Sequence, residues 1–198
     1  MTKLFVATSN QNKIYEFNKI FSENNIEVEL VCPKDFNDYS EPIEDGKTFE
    51  DNAILKAKYF YDKYKFPTLA DDSGMCIDFF NGFPGIYSAR FMKNYTYHEK
   101  NELIIKALDG IDDRAATFNC VVAYIDKNGN VNTFEGINNG TIAYKEAGNE
   151  GFGYDPIFII PEYNKTESEL GYAYKNKYSH RAKALNKFIE YYKNHEKD

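Results

Sequence analysis

Apolar runs of strand length alternate along this chain with stretches whose apolar residues recur every three or four positions. Residues 3–8 form a short apolar run, the pattern of a buried strand. Over residues 12–22, Ile14, Phe17, Ile20 and Phe21 fall on one helical face. Residues 27–32 read as a second strand, and residues 35–46 as a polar, acidic loop. Thr48 followed by Asp51 resembles a capping box and predicts a helix over residues 49–64. A short strand over residues 67–70 runs into Asp71-Asp72-Ser73-Gly74, and apolar residues resume over 75–80 before a turn at 82–85. Thr96 and Glu99 repeat the capping pattern and predict a helix to about Leu108, with Gly110 as its stop. Residues 117–125 are β-rich, Asn128-Gly129 marks a hairpin turn, and residues 131–135 return. Another strand is predicted over 156–160, and an amphipathic helix over 179–192 with Leu185, Phe188, Ile189 and Tyr192 on one side. Early alternation of strands and helices with a later hairpin predicts an α/β fold whose central sheet is mixed, with flanking helices.

The 198 residues suit one large domain or two small lobes, and with no repeat or linker the chain reads as one domain over 1–198. No apolar run approaches the roughly 20 residues that span a bilayer, so no membrane partner is expected. The first apolar run is too short for a signal peptide, and the expected location is cytoplasmic. Cys32, Cys76 and Cys120 form no C-x-x-C, which argues against a disulfide framework and a thiolate zinc site. A net charge of −7 without a basic block excludes wrapping of nucleic acid. A small anionic ligand stays open, because a few local cations or a metal can hold it against the global charge.

Five segments carry candidate chemistry, each with a bland alternative. Thr8-Ser9-Asn10-Gln11-Asn12-Lys13 lies between a strand and a helix, where free N–H groups attract phosphate; it also reads as an ordinary cap. Asp71-Asp72-Ser73-Gly74 sits at the carboxyl end of a predicted strand. Adjacent aspartates repel and resist burial without a cation, yet the same residues suit an exposed turn. Glu41-Pro-Ile-Glu44-Asp45-Gly46 could supply a third carboxylate, and Asn52 and Lys56 share a helical face; a solvated charge cluster is the alternative. In Gly151-Phe152-Gly153-Tyr154-Asp155-Pro156 the aromatic rings could stack on a base and Asp155 could accept hydrogen bonds, or the segment is a glycine-rich turn. Near the end, Lys175, Lys177, Ser179, His180 and Arg181 approach a helix whose N-cap reads as Ser179. With three histidines, a His-rich metal site is not expected.

Taken together and in order, these blocks resemble the inosine triphosphate pyrophosphatase (Ham1-like) family. The resemblance is carried by Thr8-Ser9-Asn10-x-x-Lys13, Glu44-x-Gly46-x-Thr48-Phe49-x-x-Asn52-Ala53-x-x-Lys56-Ala57 and Ala70-Asp71-Asp72-Ser73-Gly74. It continues through Gly82-Phe-Pro84-Gly85-Ile-Tyr-Ser88-Ala89-Arg90, Gly151-Phe-Gly-Tyr-Asp155-Pro156-Ile-Phe158 and Ser179-His180-Arg181-x-Lys183-Ala184-Leu185. It implies two lobes enclosing a nucleotide cleft, a homodimer, and magnesium-dependent hydrolysis of ITP, dITP and XTP to the monophosphate and pyrophosphate. Asp72 would be the proton acceptor and a metal ligand, with Glu44 and Asp71 completing the carboxylates. Thr8, Ser9, Asn10, Lys13 and Lys56 would hold the phosphates. Ser73, Phe152, Gly153, Tyr154, Asp155, Lys175, His180 and Arg181 would contact the rest of the nucleotide. Two departures stand out: Ile43 replaces a second acidic residue of some relatives, and residues 171–174 lack the acidic residue that many carry before the lysine, leaving Lys177 a competitor of Lys175. The rival functions are a non-catalytic purine-nucleotide sensor and a pyrophosphatase for other modified nucleotides.

Overall fold

The computed structural model describes residues 2–195. Strands β1 (Thr2–Val6), β2 (Val28–Val31) and β3 (Thr68–Ile77) come first, separated by helices α1 (Gln11–Glu23) and α2 (Phe49–Tyr64). Helix α3 (Tyr97–Ala107) precedes β4 (Ala115–Ile125), β5 (Val131–Ile142), β6 (Phe158–Ile160) and β7 (Lys165–Thr166), and the chain closes on α4 (Glu167–Tyr178) and α5 (His180–His195). The sheet order is β2-β1-β3-β4-β5-β6-β7. β1 pairs in parallel with β2 and β3, and helices α1 and α2 provide the crossover connections that parallel pairs need. β6 pairs antiparallel with both β5 and β7, so the sheet is mixed as expected.

By Cα packing the chain divides into two compact units, and β3, β4 and β5 contribute residues to both. The first unit comprises residues 1–72, 120–136 and 181–198. Its central strands β1, β3 and β4 are buried on both faces, so alternate residues enter two different cores. Leu4, Val6, Leu69, Cys120 and Val122 pack with Phe17 and Phe21 of α1 and with Leu185 and Phe188 of α5. Phe5, Ala7, Ala70, Val121 and Ala123 pack with Ala53, Ala57 and Phe60 of α2. Helix α2 begins where the sequence places it, with the Thr48 hydroxyl accepting from the Asp51 N–H at 3.0 Å.

The second unit comprises residues 73–119 and 137–180. Met75, Ile77, Ile104, Leu108, Phe118, Ile157 and Phe158 form its core. Buried Arg114 donates to the carbonyls of Leu108, Ile142 and Ala143, each at 2.8 Å, and so ties α3 to the end of β5.

Three expectations need correction. Residues 67–70 and 75–80 are not two strands around a turn: β3 runs unbroken across Asp71-Asp72-Ser73-Gly74. The charged residues stay in the ladder because cations from neighbouring helices compensate them. β5 extends seven residues beyond 135, to Ile142; its exposure alternates there, but the buried positions are Gly136, Asn138, Gly140 and Ile142, so no apolar alternation marks the strand in the sequence. Residues 161–178, unassigned from the sequence, hold β7 and α4, the latter interrupted by Gly171 at φ +70°. The predicted strand over 156–160 opens with one 3-10 turn, Asp155–Ile157, before β6.

The segment before Gly151 is stitched to α4: Thr166 Oγ1 donates to the Ala147 carbonyl at 2.9 Å and Ser168 Oγ to the Glu150 carbonyl at 2.6 Å. Gly148 sits against this helix start at φ +84°, and a Cβ there would lie 2.3 Å from the Ser168 carbonyl carbon. Gly148→Ala is expected to cost about 2–4 kcal/mol from the left-handed backbone and the overpacking combined. Urea denaturation measures it, and an unchanged midpoint would show that the loop yields without strain.

Candidate active site

Asp71 and Asp72 are adjacent in a continuous strand, so their side chains point to opposite faces of the sheet. Asp71 shares the face of Leu69, under α1 and α5, while Asp72 shares the face of Ala70, under α2. One acidic dipeptide therefore supplies two sites with different surroundings.

On the Asp71 side the carboxylate is buried and clamped. Oδ2 lies 2.9 Å from Lys13 Nζ and accepts from Arg181 Nε at 3.1 Å. The same guanidinium donates through Nη1 to Glu16, also buried. Burial by itself raises the Asp71 carboxyl, but Lys13, Arg181 and Lys56 outweigh it and hold Asp71 well below the usual carboxylate range. The Cys120 thiol beside it is pushed up to about 12, first by burial and then by the Asp71 charge. It is an inert thiol rather than a nucleophile.

On the other face Asp72 is held more loosely. Asn52 donates to its Oδ2 at 3.3 Å, and Lys56 Nζ stands 3.9 Å from Oδ1. Lys56 is closer to Glu44, at 2.6 Å, and donates to the Asp71 carbonyl at 3.0 Å. Burial raises the Asp72 carboxyl, Lys56 and Lys13 oppose this, and Glu44 adds to it; the net direction is upward. These contacts join four carboxylates, Glu16, Glu44, Asp71 and Asp72, with three cations, Lys13, Lys56 and Arg181. On the Asp72 face two of the carboxylates meet at Lys56.

Lys13 comes from the first helical turn of α1. Asn10 caps that helix, its side chain accepting from the Asn12 N–H at 3.0 Å, and Thr8 Oγ1 accepts from the Asn10 N–H at 3.2 Å. Ser9 and Asn10 are exposed, and the first turn carries no acidic residue. An acid is the side chain this helix end would favour, and its absence leaves the end suited to an anion from outside.

The remaining sequence candidates, apart from Arg181, belong to the second unit. Ser73, Phe152 and Gly153 are partly exposed. Asp155 is buried, accepts from the Phe152 N–H at 2.7 Å and pairs closely with the buried Lys175, whose ammonium also lies 4.6 Å from the Phe152 ring centroid. Lys175 points into the Gly151–Asp155 turn, while Lys177 is exposed. Tyr154 donates from its hydroxyl to the Ser88 carbonyl at 2.8 Å, and His180 stacks on Phe118 at 4.7 Å between centroids. Ser179, read as an N-cap, stands between the two last helices: it is the C-cap of α4 and immediately precedes α5, which opens at His180. The surface of the same unit also groups His98, Glu102 and Glu146, with His98 Nδ1 2.6 Å from a Glu146 oxygen.

A profile of the Ham1 family matches residues 4–191. The chain belongs to the Ham1 family. A dITP/XTP pyrophosphatase of Borrelia duttonii is 43% identical over 203 residues, covering 96% of this chain and 97% of that protein. One from Desulfotalea psychrophila is 40% identical over 183 residues, covering 92% of this chain and 81% of its own. Among solved structures, a Ham1 protein of Coxiella burnetii superposes with a TM-score of 0.88 at 34% identity, covering 98% of this chain and 100% of that one. The Staphylococcus aureus Ham1 protein gives 0.87 at 34% identity, with 98% and 99% covered. The α/β architecture is thus that of known Ham1 structures.

In this Ham1 chain the sequence reading missed Glu16 altogether and named Asn52 only as a neighbour of Lys56. The signal for Glu16 was present: it lies one turn before Ile20 on the apolar stripe of α1, where a carboxylate needs a buried cation. Asn52 is fully buried near the start of α2, where an amide without a partner would be costly.

The two aspartates should respond oppositely to neutralisation. Asp71→Asn leaves the buried Arg181 and Lys13 without their shared anion and is expected to cost about 3–5 kcal/mol. Asp72→Asn keeps an acceptor for Asn52, removes a charge that burial penalises, and is expected to change stability by less than about 1 kcal/mol. Calorimetry on both variants checks this, and equal losses would contradict the division of the pair.

Proposed function

We propose that this chain is a nucleoside triphosphate pyrophosphatase that converts ITP, dITP and XTP to the monophosphate and pyrophosphate. The observation that carries the reading is Asp72: a buried carboxylate of raised basicity, beside Lys56 and the Glu44 that Lys56 pairs with, and within the field of Lys13. The dITP/XTP pyrophosphatases at about 40% identity over nearly the whole chain support it.

The donor chemistry around Asp72 fits magnesium. Glu44 and Asp72 offer hard carboxylate oxygens that converge on Lys56. These two residues would hold the ion, which on binding neutralises phosphate charge. Asp71 belongs to the same carboxylate set; with Lys13 and Arg181 on its Oδ2, we assign it the anchoring of those two cations. Arg181 is accordingly a positioning residue.

Hydrolysis takes one water. Its oxygen attacks the α-phosphorus, the bond to the bridging oxygen breaks, and pyrophosphate leaves. Asp72 accepts the proton. Thr8, Ser9, Asn10 and the N–H groups opening α1 take the phosphate oxygens, and Lys13 and Lys56 neutralise their charge. For the nucleoside we assign Ser73, Phe152, Gly153, Tyr154, Asp155, Lys175 and His180. Phe152 presents a ring for stacking, while Asp155 and Lys175 brace the turn that carries it. Action in the cytoplasm as a homodimer belongs to the same proposal, and the three unpaired cysteines suit a reducing compartment.

The test is turnover of ITP with magnesium, assayed for IMP and pyrophosphate. Asp72→Asn should lose about 10²–10⁴-fold in kcat, the range of a general base. Release of orthophosphate in place of pyrophosphate contradicts the reaction. Tight ITP binding without turnover makes the protein a sensor, and faster turnover of modified pyrimidine or methylated nucleotides in a substrate panel moves the activity to those.

A further inference from the structure

The acidic loop that carries Glu44 is fastened to α2 at two points. At its start the Asp38 carboxylate, nearly buried, gathers donors from two directions. Lys63 Nζ lies 2.8 Å away and Tyr64 Oη donates at 2.7 Å, both from the last turn of α2. Ser40 donates through its N–H at 3.0 Å and through its hydroxyl. Lys63 also reaches Ser40 Oγ at 3.1 Å. The hydrogen bonds from Lys63 and Ser40 hold Asp38 far below the usual carboxylate range, with burial opposing them and Tyr64 helping. At the loop's end the Gly46 N–H donates to Asn52 Oδ1 at 2.9 Å, near the first turn of the same helix. A Cβ on Gly46 would lie 2.4 Å from the Asp51 Cβ and 2.7 Å from that amide oxygen, so only glycine can come this close.

Between the two fastenings the loop runs antiparallel to the helix in register. Gly46 meets Asn52, Glu44 meets Lys56, and Asp38 meets Lys63 and Tyr64. From Asn52 to Lys63 the helix rises ~17 Å. Eight residues of chain can reach ~27 Å. The segment therefore has slack between its two fastened ends, and Glu44 lies over Lys56 within it. Ile43, beside it, is 80% exposed and contributes no apolar anchor. Asn52 works on both sides, its Oδ1 holding the strap and its Nδ2 donating to Asp72 at 3.3 Å.

We propose that Asp38 is a positioning residue for the metal-dependent reaction: its clip to Lys63, Tyr64 and Ser40 turns residues 38–46 into a strap that holds Glu44 at the Lys56–Asp72 group. The strap rests on the assignment of Glu44 and Asp72 as the divalent-cation ligands. Loss of the clip frees the strap's leading end, so the fraction of molecules with Glu44 in place falls while the helix and the sheet stay folded.

The experiment is titration of the intact protein with Mn2+, read by electron paramagnetic resonance without nucleotide, on the wild type, Asp38→Asn, Glu44→Gln and the double variant. Asp38→Asn is expected to weaken Mn2+ binding about 10-fold, the scale on which groups supporting a metal ligand act. In the Glu44→Gln background it is expected to add nothing, because both act through the same carboxylate. A merely structural role would instead add its full effect in that background, and that result overturns the proposal. Unchanged binding in Asp38→Asn, with binding weakened in Glu44→Gln, overturns the strap alone. Unchanged binding in Glu44→Gln overturns the ligand assignment and the strap with it. Should Asp38→Asn fail to fold, Tyr64→Phe removes one donor and is expected to weaken binding about 3-fold in the same Glu44-dependent way; unchanged binding there also overturns the strap.

Discussion

Successive side chains of a β-strand leave on opposite faces, and the candidate site depends on that alternation in β3. Because the strand does not turn at Asp71-Asp72, the first carboxylate enters the layer of α1 and α5 and the second the layer of α2. Were these residues an exposed turn, both would be solvated and equivalent. In the ladder they are buried, and each takes the character of the helix it faces.

The electrostatics follow from this division. Asp71, Glu16, Lys13 and Arg181 form a nearly self-compensating group that holds the start of α1 and the start of α5 to the strand. Breaking it exposes buried charge, which is the costly way to lose an ion pair. Asp72 and Glu44 share Lys56; burial disfavours its charge, but Asp72, Glu44 and Asp71 outweigh burial and favour its protonation. Two carboxylates converging there offer the hard oxygens that suit a cation arriving with a polyphosphate. Buried charge pairing occupies one face of β3, and the proposed chemistry is assigned to the other.

Much of this was legible in the residues. Thr48 and Asp51 placed the start of α2, the apolar spacing of residues 12–22 placed α1, and Asn128-Gly129 placed the turn between β4 and β5. The family blocks brought Lys13, Lys56 and Glu44 to the aspartates. The division of Asp71 from Asp72 was not legible, because it requires knowing that the strand continues, and local propensity reads Asp-Asp-Ser-Gly as a turn. Nor could Asp38 be distinguished from its acidic neighbours, since the donors that select it lie 25 and 26 positions away on a helix. Long-range partners of charged residues leave no periodic trace.

The most direct test of the division is carboxyl 13C NMR of selectively labelled protein during a magnesium titration. The account predicts that the Asp72 and Glu44 carboxyl resonances shift saturably together while the Asp71 resonance stays in place, held by Lys13 and Arg181. Movement of Asp71 to the same extent, or a stationary Asp72, would contradict it.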